Sequence, residues 1–155
     1  MMDPSLRELY QEVILDHGRN PRHLGAIADA THEGHGHNPL CGDRVHLYLK
    51  LDDKGRVVDV GFEGKGCAIS IASASMMTDL ILGKDVATAR ALAEAFYHLA
   101  KGESVEGSPA EDDLDRLQVM SGVSQFPMRV KCATLPWHTF ESALEGKAGG
   151  EASSE

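Results

Sequence analysis

An α+β domain, with helices packed on one face of a small antiparallel sheet of about three strands, is what this sequence of 155 residues predicts. Apolar and polar residues alternate strictly in only two runs, Val45 to Leu51 and Val58 to Phe62, both in the first half of the chain. The turn sequence Asp52-Asp53-Lys54-Gly55 lies between them and makes the pair a β-hairpin. After these runs the pattern turns helical almost to the end, so strands come early and helices late.

Taken in order, Leu6, Leu9, Tyr10, Val13 and Ile14 recur at helical spacing behind Asp3 and Ser5, either of which can cap a first turn. This helix ends near Gly18, and Asn20-Pro21-Arg22-His23 breaks the chain. Gly25 to Ala30 reads as a short strand and residues 31–40 as a loop carrying His32, His35 and His37. The hairpin follows, with Val45, Leu47, Leu49 and Leu51 facing inward and Arg44, His46, Tyr48 and Lys50 outward. Ala68 to Leu82 is a helix rich in small residues, stopped at Gly83. A second helix spans about Asp85 to Ala100, with Val86, Leu92, Phe96 and Leu99 on its apolar face. A short helix is expected over Glu111 to Gln118. Cys132 is expected to precede a last helix through Trp137, Phe140 and Leu144, with Pro136 confined to its first turn. Residues 1–145 are read as one domain and the small, polar residues 146–155 as a tail without order.

The formal net charge of −9 repels phosphate backbones and anionic lipid, which excludes nucleic acid and membrane surfaces as expected partners. No apolar run is long enough to span a membrane, and the N-terminus lacks the pattern of a secretory signal. The expected location is cytoplasmic, where thiols stay reduced.

The chain has three cysteines, Cys41, Cys67 and Cys132. No pair is spaced C-x-x-C, so the count alone favours three unrelated buried thiols over a site. Their surroundings argue for a site. Cys41 opens Cys41-Gly42-Asp43, Cys67 closes Gly64-Lys65-Gly66-Cys67 at a helix N-terminus, and Cys132 follows Arg129-Val130-Lys131. Cations and helix N-termini both favour the thiolate, which is the nucleophile and the metal ligand. The hairpin brings Cys41 and Cys67 to one end of the sheet. Three sulfurs and an oxygen of Asp43 would complete a tetrahedral shell for zinc. Arg44 could orient the Asp43 carboxylate or simply face solvent, and Lys131 could steer a partner, lower the Cys132 pKa or point into solvent. His32, His35 and His37 read as solvated loop histidines, Met76 and Met77 as core, and Trp137 as core or an interface anchor.

Together, Asn38-Pro39-Leu40-Cys41-Gly42-Asp43, Gly64-Lys65-Gly66-Cys67-Ala68-Ile69-Ser70 and Lys131-Cys132-Ala133 resemble the motifs of the U-type iron–sulfur cluster assembly family, that is IscU, SufU and the NifU N-terminal domain. The likeness covers roughly residues 5–144. It departs from the scaffold branch in two places. Lys131 stands where scaffold members carry His, and Phe126-Pro127-Met128-Arg129-Val130 replaces the Leu-Pro-Pro-Val-Lys segment read by an Hsp70 chaperone. Residues 101–129 look like the insertion of the SufU branch. That branch implies one zinc ion per chain, held by Cys41, Asp43, Cys67 and Cys132. It also implies a cysteine desulfurase (SufS-like) that passes persulfide sulfur to Cys41, making the chain a sulfurtransferase, with iron–sulfur assembly proteins or apo-acceptors downstream. The scaffold branch implies instead a non-enzymatic carrier of a [2Fe–2S] cluster on the same ligands. A structural zinc module would call for a closed shell of sulfur and histidine, against which Asp43 argues.

Overall fold

The computed structural model describes residues 4–38, 42–103, 119–145 and 151–153. Helix α1 (Pro4–Arg19) is followed by strands β1 (His32–Asn38), β2 (Asp43–Leu51) and β3 (Val57–Lys65). Helices α2 (Ala68–Ile81) and α3 (Val86–Ala100), a 3-10 segment (Val119–Gln125), helix α4 (Pro127–Leu144) and a short strand β4 (Glu151–Ser153) complete the order. The sheet runs β3-β2-β1-β4, with β1, β2 and β3 antiparallel and β4 parallel to β1.

The hairpin forms where its alternation places it, except that a bulge opposite Lys50 and Leu51 leaves Val58, read as inward, exposed and buries Val57 instead. Val45, Leu47 and Leu49 on β2 and Val60 and Phe62 on β3 are buried, and Leu47 and Phe62 are direct cross-strand partners. Helices α4 and α2 cover that face, α4 over β1 and β2 and α2 against β3, while α1 packs on α2. Phe96 of α3 stacks on Trp137 of α4, their ring centroids 5.3 Å apart, and Met77, Leu80 and Phe140 fill the space around them. Trp137, Met76 and Met77 are thus core residues.

Four expectations need correction. Residues 32–38 are not a loop but strand β1, the third antiparallel strand of the sheet. Its inward positions are Gly34, Gly36 and Asn38, all buried, so it carries no apolar alternation. The glycines are there because α4 lies on them. A Cβ on Gly36 would sit 1.9 Å from Thr139 Oγ1, and one on Gly34 would sit 2.7 Å from the Thr139 carbonyl oxygen. Conversely, residues 25–30 are not a strand. Leu24 makes one bridge to Phe62, and Gly25, at φ +114, then turns the chain away.

The last helix begins at Pro127, so Cys132 lies within α4 rather than before it, and Pro136 stands in the helix interior. Pro136 has no N–H to donate one turn back, to the carbonyl of Cys132. The neighbouring carbonyl of Ala133 gains a compensating bond from Ser73 Oγ at 2.5 Å, which ties α4 to α2. Within the tail read as lacking order, Glu151–Ser153 pair with β1, while residues 146–150 and 154–155 lie outside the described residues. So does the short helix expected over 111–118.

The other helix ends follow the sequence signals. Asp85 caps α3 by accepting a 2.7 Å bond from the Thr88 N–H, and Gly83, at φ +85, follows the end of α2. Among the described residues no helix is long and apolar enough to cross a membrane.

Candidate metal centre

Three segments distant in sequence meet at one end of the sheet. Asp43 is the first residue of β2, Cys67 is the N-cap of α2, and Cys132 lies in the second turn of α4. One carboxylate oxygen and the two sulfurs all lie within 4.8 Å of one another. Among the described residues, no other group of three His, Cys, Asp or Glu side chains converges in this way. Asp43 and Cys132 are buried and Cys67 is half-buried, so the trio opens to solvent on the Cys67 side.

Each donor is held from behind. The backbone N–H of Cys67 donates to Asp43 Oδ1 at 2.9 Å, and the Cys67 thiol approaches Oδ2 at 3.7 Å. The Ser70 N–H donates to Cys67 Sγ at 3.4 Å, as the N-cap position requires. Asn38 at the end of β1 points its Nδ2 at Cys132 Sγ, 3.9 Å away. Gly66 leaves room for the carboxylate, since a Cβ there would stand 2.1 Å from Asp43 Oδ1. A carboxylate oxygen with two sulfurs beside it suits a borderline-soft dication. These residues therefore fit a zinc ion, provided a fourth donor joins them.

A basic residue completes the surroundings, but it is not the expected one. Arg129 precedes Cys132 by three positions on α4 and so shares its face. A hydrogen bond to Cys132, with the nearby charges of Cys67 and Cys132, holds its guanidinium above the ordinary value. Lys131 is turned away to a different surface, beside Glu94, Tyr97 and His98 of α3. Helical phase separates the two, and it applies only because α4 begins at Pro127, ahead of both residues.

Next to Arg129 runs an apolar groove of about 490 Å³ lined by Tyr10, Ile14, Leu15, Ile69 and Phe126. Tyr10 is buried, and among the described residues its hydroxyl has no hydrogen-bond partner. Burial first, then the charge of Cys67, pushes that phenol up, while Arg129 opposes the shift.

Of the sequence-predicted site residues, Asp43, Cys67 and Cys132 come together, and Cys41 lies outside the described residues. Arg44 is exposed on the face of β2 opposite Asp43, so its side chain does not orient that carboxylate. His32, His35 and His37 belong to β1. His35 and His37 lie on the outer sheet face, where the His35 ring meets His46 at 3.7 Å between centroids.

The family model described as the NifU-like N terminal domain matches residues 9–133. A relative from Bacillus subtilis (strain 168), the zinc-dependent sulfurtransferase SufU, is 44% identical over 94% of this chain and 96% of its own length. The iron–sulfur cluster assembly scaffold protein IscU of Streptococcus pyogenes serotype M1 is 38% identical over 94% of this chain and 89% of its own. Among solved structures, a candidate iron–sulfur cluster assembly scaffold protein for the SUF system from Fervidobacterium islandicum superposes with a TM-score of 0.79 at 37% identity, covering 89% of this chain and 98% of that one. With a matched family model, relatives aligned over nearly the whole chain and a cysteine–aspartate centre, this chain belongs to the U-type iron–sulfur cluster assembly family and is SufU-like within it.

Proposed function

We propose that this protein accepts persulfide sulfur from a cysteine desulfurase on Cys41, as a zinc-dependent, SufU-like member of an iron–sulfur cluster assembly system in the cytoplasm. The observation that carries this reading is the convergence of Asp43, Cys67 and Cys132 within 4.8 Å at the sheet end where the chain enters from Cys41. Cys41, Asp43, Cys67 and Cys132 would hold one zinc ion. Bound there, zinc supplies the charge that keeps ligating thiols deprotonated at neutral pH.

The residues of the chain do the rest. Asp43 is fixed by the Cys67 N–H, and Arg129 places a permanent positive charge beside the sulfurs. The Cys41 thiolate attacks the terminal sulfur of the donor's persulfide. The donor's S–S bond breaks, a new S–S bond forms at Cys41, the transferred sulfur keeps its proton, and the donor cysteine leaves as a thiolate. Reductant or an acceptor protein downstream then discharges the Cys41 persulfide.

Support for this reading over a scaffold comes from the SufU relative and from Lys131 in place of a histidine ligand, its side chain turned away from the centre. In the scaffold reading, a [2Fe–2S] cluster is cargo on the same ligands. Desulfurase turnover of cysteine, measured with reductant in the presence and absence of the zinc-loaded protein, separates the two. The expected result is strong stimulation that needs zinc and is lost in Cys41→Ala. Weak or zinc-inhibited stimulation would overturn the sulfur-acceptor reading in favour of the scaffold.

A further inference from the structure

On the sheet face turned away from the helices, His37, Arg44 and Lys65 stand in one transverse row across β1, β2 and β3. The register pairs His37 with Arg44 and Arg44 with Lys65, so the three side chains are direct cross-strand neighbours. Like charges directly opposite one another weaken a sheet. In a chain of net charge −9, acidic residues to relieve them are abundant. Yet the nearby carboxylates are engaged elsewhere: Glu33 Oε1 lies 2.9 Å from His46 Nε2, and Glu63 accepts from the Tyr48 hydroxyl at 2.5 Å. Neither Arg44 nor Lys65 forms an ion pair with any described residue, and both are exposed. Together with Glu63 and His46, the row lines a shallow concavity of about 520 Å³.

The position of the row tells what it is for. Arg44 is the residue after Asp43, and Lys65 is two residues before Cys67, so the row borders the metal centre at the same sheet end. A protein that delivers sulfur to that centre must close over this edge. We propose that Arg44 and Lys65, with His37 beside them, form an electrostatic docking strip for an acidic surface next to the active site of the sulfur donor. The inference rests on the reading that a cysteine desulfurase is that donor. Two like charges such as Arg44 and Lys65 at the rim of a site attract the complementary surface and speed its encounter, and they do so less as salt screens them.

The test uses the zinc-loaded full chain, the desulfurase of the same organism, and three variants: Arg44→Glu, the double variant Arg44→Glu/Lys65→Glu, and Lys54→Glu. Lys54 is exposed in the hairpin turn at the opposite end of the sheet and makes the same charge change as Arg44→Glu. Two quantities are read: the concentration giving half-maximal stimulation, and direct binding of the two proteins by titration. At low salt the double variant should raise both the half-maximal concentration and the dissociation constant about tenfold, shrinking to about twofold or less near ~0.5 M salt. Maximal turnover and zinc content should be unchanged, and Lys54→Glu should match the parent. Unchanged binding in the double variant, an equal effect of Lys54→Glu, or a loss of maximal turnover at unchanged half-saturation would each overturn the strip. Failure of the parent to stimulate the desulfurase would instead count against the sulfur-acceptor reading, and the binding titration would still decide the strip.

Discussion

The backbone N–H of Cys67 donates to Oδ1 of Asp43 at 2.9 Å, so one candidate ligand positions another across the junction of β2, β3 and α2. Gly66 makes the contact possible. An alanine there would bring its Cβ to 2.1 Å from the same oxygen, and the Asp43 carboxylate would have to leave. Gly66→Ala is therefore expected to weaken zinc binding by about tenfold or more, as for other changes that misorient a ligand. Competition with a chromogenic chelator measures it.

Because the candidate ligands come from three segments, zinc should act as a ligand that binds only the folded chain. At free zinc about a thousandfold above the dissociation constant, the stabilisation is about 4 kcal/mol. For a domain of this size that corresponds to a rise of roughly 8–16 °C in Tm. Differential scanning calorimetry with zinc and with a chelator would measure it, and coincident curves would dismiss the site as a zinc site.

Arg129 holds its charge beside both sulfurs, and the thiols must lose their protons for metal to bind. Arg129→Gln should speed zinc release to a chelator by severalfold, with a larger effect at pH 6 than at pH 8 because protons compete for the sulfurs. Lys131→Gln, on another face of α4, should leave release unchanged.

How much of this was legible depends on what each residue had to do. The hairpin was plain because Val45, Leu47, Leu49, Val60 and Phe62 bury apolar side chains at every second position. Strand β1 was hidden because its inward residues are glycines chosen for the closeness of α4, and closeness leaves no hydrophobic signature. The start of α4 was masked by Pro136, which sequence rules place near a helix start and tertiary packing keeps in its interior. With α4 beginning at Pro127, Arg129 shares the face of Cys132 and Lys131 does not. The candidate ligands Asp43, Cys67 and Cys132 could be named from the sequence because the chemistry of thiols and carboxylates does not depend on helical phase.

The contact of Gly36 with Thr139 can be tested by a double-mutant cycle. Gly36→Ala meets Thr139 Oγ1 at 1.9 Å and should cost about 1–3 kcal/mol, the usual range for overpacking. Thr139→Ala in the same chain should recover a large part of that. Gly34→Ala meets the Thr139 carbonyl instead, and the same second change should not rescue it. Urea denaturation of the metal-free variants supplies the energies.

His138 stacks on Tyr97 with ring centroids 4.6 Å apart, and burial holds its imidazole below the ordinary value, partly offset by Glu141. The unfolded chain therefore takes up this proton before the folded one does. The contribution of His138 is whole above about pH 6.5 and is lost as pH falls below that value. His138→Phe keeps the stack and removes the titration, so the fall in Tm between pH 7.5 and pH 5.5, measured without metal, should be smaller than in the parent. Parallel curves would show that this imidazole does not set the acid sensitivity.

A centre assembled from Asp43, Cys67 and Cys132 also has a history on the ribosome. Sixty-five residues separate Cys67 from Cys132, since 132 minus 67 is 65. At roughly 5–20 residues per second, synthesis leaves the early donors without their last partner for about 3–13 s. During that interval the nascent chain offers only an incomplete set of donors. If the centre holds zinc as proposed, capture of the ion would await the docking of α4 on the sheet, and a bound ion would report that docking.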